Sequence, residues 1–174
     1  MNEKRRLLGM TLDELKGVAF EAGLPGYAAK QMADWLYKKK VTSIAAMTNI
    51  ASAKRALLEK NFEVGAVPPS DLMKSVDGTI KYLYPAGPGN FVESVYIPTE
   101  DRATLCVSSQ VGCKMNCLFC MTGKQGFTKN LSANEILNQI QSLPETEELT
   151  NIVFMGMGEP LDNVDEPVSY THLT

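Results

Sequence analysis

The chain has 174 residues, 44% of them hydrophobic and 21% charged, with a formal net charge of −3. These proportions exclude an intrinsically disordered chain; no apolar run approaches the about 18 residues of a membrane span, and the start of the chain lacks the apolar core of a secretory signal, so a cytoplasmic protein is expected. Residues 1–60 carry eleven Lys and Arg against six Asp and Glu, and residues 61–174 six against fourteen, a split that suits a basic module facing a polyanion and equally suits a solvated helical surface.

In chain order, Thr11 with Glu14 three positions on forms a capping box. Leu12, Leu15, Val18, Ala19 and Ala22 follow at helical spacing, and Gly23 before Pro25 supplies the stop. A second helix is predicted from about Tyr27 to Tyr37, with Ala28, Met32, Trp35 and Leu36 inward and Lys38–Lys40 at its C-terminus. Those lysines are candidate phosphate contacts and Tyr37 a candidate base-stacking ring, although a plain helix face is the commoner fate. Short helical pieces follow near Ile44–Met47 and Lys54–Lys60, and Pro68-Pro69 marks a boundary. A β-hairpin comes next, Thr79–Tyr84 and Phe91–Ile97 around Gly87–Asn90, with Phe91, Val95 and Ile97 as candidate inward residues. A third strand, Ala103–Val107, leads into the cysteines. Ser132 with Glu135 opens another helix, of about a dozen residues, ending before Pro144. Asn151–Met155 reads as a strand buried on both faces of a parallel sheet, emptying into Gly156-Met157-Gly158-Glu159-Pro160.

All four cysteines, Cys106, Cys113, Cys117 and Cys120, fall within fifteen residues. A disulfide framework spreads its cysteines; clustered cytosolic cysteines point to a metal or redox site. Three thiolates at the spacing Cys113-x-x-x-Cys117-x-x-Cys120 can fold around a [4Fe–4S] cluster and leave its fourth iron without a protein ligand. This is similar to the motif of radical S-adenosylmethionine (SAM) enzymes, in which SAM chelates that iron and is cleaved by one electron, and Phe119 is the aromatic neighbour such motifs carry. A structural zinc site using all four cysteines is the competing reading, but zinc knuckles favour paired C-x-x-C steps. The glycine loop is weak by itself, since packing turns of this kind are common. After the second strand that follows a cysteine loop, its glycines would let the backbone approach SAM, and Glu159 would accept from its ammonium group.

From Met1 to about Glu166 the chain resembles the RlmN-type dual-specificity RNA methyltransferases, relatives of the Cfr resistance enzymes. The resemblance rests on Phe91–Pro98, the run Asp101–Cys113, the cysteine cluster, Gln125-Gly126-Phe127 and the Gly-Met-Gly-Glu-Pro loop. It implies methylation of C2 of adenosine in 23S rRNA and in tRNA through a methyl-cysteine intermediate. The implied partners are a [4Fe–4S] cluster, SAM and a reductant such as flavodoxin or ferredoxin, in a monomer with no membrane attachment. Residue by residue it implies Cys113, Cys117 and Cys120 as cluster ligands and Gly158 and Glu159 as SAM-binding positions. It implies Glu93 as the proton acceptor, and Cys106 as the thiol that pairs in a transient disulfide with the methyl-carrying cysteine. Read without the resemblance, Cys106 is a small core residue and Glu93 a solvent-facing strand glutamate. Cfr-like methylation at C8 and a non-catalytic zinc-dependent RNA-binding module are the alternatives.

The expected fold class is α/β. Residues 1–68 form a small helical domain of RNA-binding type, residues 69–102 a β-hairpin linker, and residues 103–166 the first units of a partial (β/α)6 radical SAM barrel. A full eight-unit barrel takes roughly 250 residues, so the sequence reads as truncated, without the methyl-carrying cysteine and inactive alone. Residues 167–174, which hold the sole histidine, His172, read as a non-native tail.

Overall fold

The computed structural model describes residues 4–164; the 167–174 tail and His172 lie outside the described residues. The chain divides into two compact units, the first ending at Ala66 and the second beginning at Val67. Among the described residues no helix is long and apolar enough to cross a membrane.

In the first unit, β1 (Arg5–Arg6) pairs in parallel with β2 (Phe62–Glu63), which joins its two ends. Helix α1 (Leu12–Glu21) starts at the expected capping box: Thr11 Oγ1 accepts from the Glu14 N–H, and Glu14 Oε2 accepts from the Thr11 N–H at 2.7 Å. Leu15, Val18 and Ala19 are buried at the spacing the sequence shows. Helix α2 (Ala28–Ala33) runs on into a π turn over Asp34–Lys38, so the predicted second helix is one continuous coil with a wider last turn. Met32 and Leu36 are fully buried. Trp35 is only half-buried; its indole donates to Asn49 Oδ1 at 2.5 Å, and Lys39 Nζ lies 3.5 Å above its ring. A 3-10 turn (Ile44–Ala46) and helix α3 (Ser52–Asn61) complete the unit.

Tyr37 has a bracing role that its sequence neighbourhood does not show. Its hydroxyl donates to the Met10 carbonyl at 2.6 Å and accepts from the Gly9 N–H at 3.1 Å, so it braces the turn before α1. Burial pushes its phenol up to about 12, against a partial opposing effect of the Gly9 N–H. Lys38 pairs with Asp34 at 2.8 Å.

The second unit is α/β. Its elements are β3 (Asp71–Lys74), β4 (Ile80–Pro85), β5 (Phe91–Pro98), β6 (Ala103–Cys106), β7 (Gln110–Gly112), α4 (Met121–Lys124), β8 (Phe127–Asn130), α5 (Ala133–Gln141) and β9 (Asn151–Val153). Five strands form one sheet in the order β3-β4-β5-β6-β9, antiparallel except for the β6–β9 pair; β7 and β8 form a separate antiparallel pair. The parallel step from β6 through α5 to β9 is the first strand–helix–strand unit of a parallel sheet. Helix α5 carries the second capping box and buries Ile136, Leu137 and Ile140. Its buried Asn138 amide closes on both backbone groups of Val67, at 2.7 and 2.8 Å.

The inward face of the hairpin is the opposite of the one expected. Val92, Ser94 and Tyr96 are buried, whereas Phe91 and Ile97 are exposed. The register decides this: Tyr84 pairs with Val92, Tyr82 with Ser94 and Ile80 with Tyr96, so the large β4 side chains fix which parity of β5 faces the core. Strand β9 is also shorter than expected and is not buried on both faces. Among the described residues it ends the sheet, leaving Asn151 and Met155 exposed.

Two tyrosines on the buried face are held by the connection between α5 and β9. Tyr82 donates to Glu145 at 2.6 Å and Tyr96 to Glu148 at 2.7 Å. Burial, then Glu145, pushes the Tyr82 phenol well above its ordinary range. Burial pushes Tyr84 up to about 12, and the Glu148 hydrogen bond, then burial, pushes Tyr96 up to about 12. A phenol whose pKa is raised by folding stabilises the fold fully below the unfolded value of 10.0, and that contribution is lost as pH climbs through the folded value. The melting temperature of the second unit is therefore expected to fall steadily between pH 10 and about 12, and Phe at positions 82, 84 and 96 is expected to flatten that decline.

Candidate metal and cofactor site

The face of the main sheet opposite the buried tyrosines carries Glu93 and Cys106. Leu83 pairs with Glu93, Lys81 with Val95, and Val95 with Cys106. Directly paired residues share a face and side chains alternate along a strand, so Lys81, Glu93 and Cys106 stand on one side. Glu93 accepts from Lys81 Nζ at 2.9 Å, each side chain being 43% exposed. Cys106 is half-buried; burial pushes its thiol up, against a partial opposing effect of the Met155 N–H. All four cysteines are free thiols, so the disulfide that the resemblance attaches to Cys106 is not present.

Beyond β6 the chain turns through Ser108 and enters the β7–β8 pair, which presents the cysteine loop. Gly112 ends β7 at φ 76°, and a Cβ there would lie 1.7 Å from the Gly126 carbonyl oxygen. Only glycine permits this approach, and Cys113 N–H donates to that same oxygen at 3.2 Å. The loop closes on itself through Cys120 N–H to the Cys117 carbonyl at 3.0 Å and leads into α4. The Gly123 N–H, and to a lesser extent the N–H and hydroxyl of Thr122, hold the Cys120 thiol below its ordinary value. Cys117 is exposed, and Leu118 and Phe119 beside it are 93% and 91% exposed.

Among the described residues no group of three or more His, Cys, Asp or Glu is drawn together as a metal site. The donor set nonetheless fits an iron–sulfur cluster: three accessible or half-accessible thiols lie on one short loop, one of them tuned toward thiolate. A cluster held by these three thiols would meet no preformed cage among the described residues, so its binding would be coupled to ordering of the loop.

The glycine loop sits directly against this assembly. Ser109 and Gln110 N–H groups both donate to the Met157 carbonyl, at 2.9 and 3.2 Å, and Met157 N–H donates to Ser108 Oγ at 2.8 Å. A Cβ at Gly156 would lie 2.7 Å from the Val107 carbonyl oxygen, and one at Gly158, where φ is +96°, would lie 2.5 Å from the Gln110 Cβ. The buried Gln139 amide clamps both backbone groups of Ser108, at 2.9 and 3.0 Å. Glu159 Oε1 accepts from the Leu161 N–H at 3.0 Å, leaving Oε2 without a protein donor among the described residues. Asp162 accepts from Lys114, in the cysteine loop, and from Gln110, each at 2.9 Å. Lys114, then Gln110, hold its carboxyl below the ordinary value. Sequence reasoning missed Ser108, Gln110, Gln139 and Asp162. The available signal was polar residues at Ser108 to Gln110 between Val107 and Val111, where a buried strand has no use for them unless they are bonded.

Two family models match the chain: residues 5–64 match the ribosomal RNA large subunit methyltransferase N-terminal domain, and residues 107–173 match the radical SAM superfamily. The cysteine and glycine loops thus belong to a radical SAM protein. A crystal structure of a radical SAM methyltransferase from Sphaerobacter thermophilus superposes with a TM-score of 0.87 at 35% identity, covering 97% of this chain and 51% of that one. A protein of Parabacteroides distasonis named probable dual-specificity RNA methyltransferase RlmN is 82% identical over 166 residues, 95% of this chain and 48% of that protein. The dual-specificity RNA methyltransferase RlmN of Geobacter sulfurreducens is 46% identical over 160 residues, 92% of this chain and 44% of that protein. The chain belongs to the RlmN family, and it spans about half the length of the curated relatives it matches.

Proposed function

We propose that the protein containing these residues is a radical SAM methyltransferase acting on C2 of adenosine in 23S rRNA and in tRNA. With a [4Fe–4S] cluster and SAM bound, carbon-radical chemistry becomes available, which adenine C2 needs because it lies between two ring nitrogens and is too electron-poor to act as a nucleophile. Cys113, Cys117 and Cys120 hold the cluster. Gly158 brings backbone close to SAM, and Glu159 Oε2 accepts from its ammonium. Glu93 takes the proton that C2 gives up, and Cys106 presents a thiol for product release. The first unit, basic in sequence, engages the RNA, and a reductant such as flavodoxin or ferredoxin supplies electrons to a monomer in the cytosol.

The observation that carries this reading is the direct hydrogen bonding of the cysteine loop's supporting strand to the glycine loop, in a chain of this family. The test is mass spectrometry of nucleosides from 23S rRNA and tRNA after incubation with the intact protein, SAM and reductant under anaerobic conditions. 2-Methyladenosine supports the proposal. 8-Methyladenosine, or no methylated base from a protein with a full cluster, overturns it.

A further inference from the structure

Gln110 is fully buried, and every hydrogen-bonding group of its side chain is used. Its Oε1 accepts from the Glu159 N–H at 2.9 Å, and its Nε2 donates to Asn130 Oδ1 and Asp162 Oδ2, both at 2.9 Å. Asp162 passes the connection on to Lys114, the residue after Cys113. One buried amide therefore holds the glycine loop from one side and, through a single carboxylate, the cysteine loop from the other. Its backbone N–H adds a third hold, on Met157. The fit is also steric, because Gly158 must lack a Cβ for Gln110 to lie where it does.

A buried amide bonded at all these positions has one arrangement rather than several, since any displacement strands a polar group in the interior. Nothing in such a link is needed to deliver three thiols to iron, which the spacing of the cysteines on their own loop provides. What the link fixes is the distance and angle between the two loops.

We propose that Gln110, acting through Asp162 and Lys114, is a positioning residue that aligns the glycine loop with the loaded cysteine loop so that SAM binds both at once. This rests on the function proposed above. Gln110→Leu keeps the approximate size and removes every bond of the amide; Asp162→Asn keeps one oxygen able to accept from Gln110 but removes the charge that pairs with Lys114. The test compares these variants with the parent after anaerobic reconstitution, measuring iron content, melting temperature and SAM affinity by calorimetry well below the melt. The expected result is parental iron content with SAM binding weakened at least about tenfold in Gln110→Leu, and weakened less, by about threefold, in Asp162→Asn. Parental SAM affinity in a fully loaded Gln110→Leu overturns the inference. If Gln110→Leu fails to fold or loads no iron, Asp162→Asn decides: parental affinity with full iron overturns the inference, and weakened affinity with full iron supports it. A parent protein that loads iron but binds no SAM overturns the proposed function as well, which separates the two failures.

Discussion

A Cys117→Ala chain is expected to fold as the parent does and to hold no iron–sulfur cluster. Cys117 is exposed, and the hydrogen bond its residue makes among the described residues, its carbonyl accepting from the Cys120 N–H, belongs to the backbone. Removing an exposed side chain of this kind costs within about 0.5 kcal/mol. A cubane needs one thiolate for each iron that the protein binds, and two cysteines on an uncaged loop do not provide that. Iron bound after reconstitution is expected to drop from about four atoms per chain to near zero, while the thermal melt stays unchanged. Iron assay and circular dichroism on the same preparation check this. Retained iron with an unaltered spectrum would remove Cys117 from the ligand set.

Gly112→Ala is expected to damage the fold itself. The added Cβ would sit 1.7 Å from the Gly126 carbonyl oxygen, at a φ of +76° that side chains avoid. The left-handed backbone alone costs about 1–2 kcal/mol. The collision is with backbone rather than with a flexible side chain, so the β7–β8 pair must separate, and the total should exceed about 3 kcal/mol. For a unit of this size that corresponds to a fall in melting temperature of about 12 °C or more. Gly126 offers the control. It has the same φ of +76° but open space around its Cβ direction, so Gly126→Ala should lose only the conformational part. Equal losses in the two variants would mean that the close approach at Gly112 does not hold the loop.

Local signals in the sequence were the readable ones. Thr11 with Glu14 and Ser132 with Glu135 are capping boxes whose partners are three residues apart, and both are present in the structure. The cysteine spacing and the glycine loop are likewise compact motifs. What escaped depends on register between distant segments. The buried parity of β5 follows from pairing with Tyr82 and Tyr84 on β4, and an alternating run containing Phe91, Val95 and Ile97 gives no hint of that choice. Tyr37 reads as a free aromatic beside three lysines, yet its partners are the backbone of Gly9 and Met10, 28 and 27 residues earlier. Gln110 joins Glu159 and Asp162, 49 and 52 residues later. No spacing rule spans such gaps, and only the β6–α5–β9 crossover brings those residues together. The hydrogen bonds that tie the glycine loop to the cysteine loop are thus a product of topology, while the cysteine spacing itself is local in the sequence.

The most direct measurement is electron paramagnetic resonance of the anaerobically reconstituted, reduced protein, recorded before and after adding SAM. The expected spectrum is that of a reduced [4Fe–4S] centre whose g-values shift when SAM reaches the iron that no cysteine binds. A colourless protein that holds zinc, or a cluster whose spectrum ignores SAM, contradicts the assignment of Cys113, Cys117 and Cys120 as a three-thiolate cradle with one open corner.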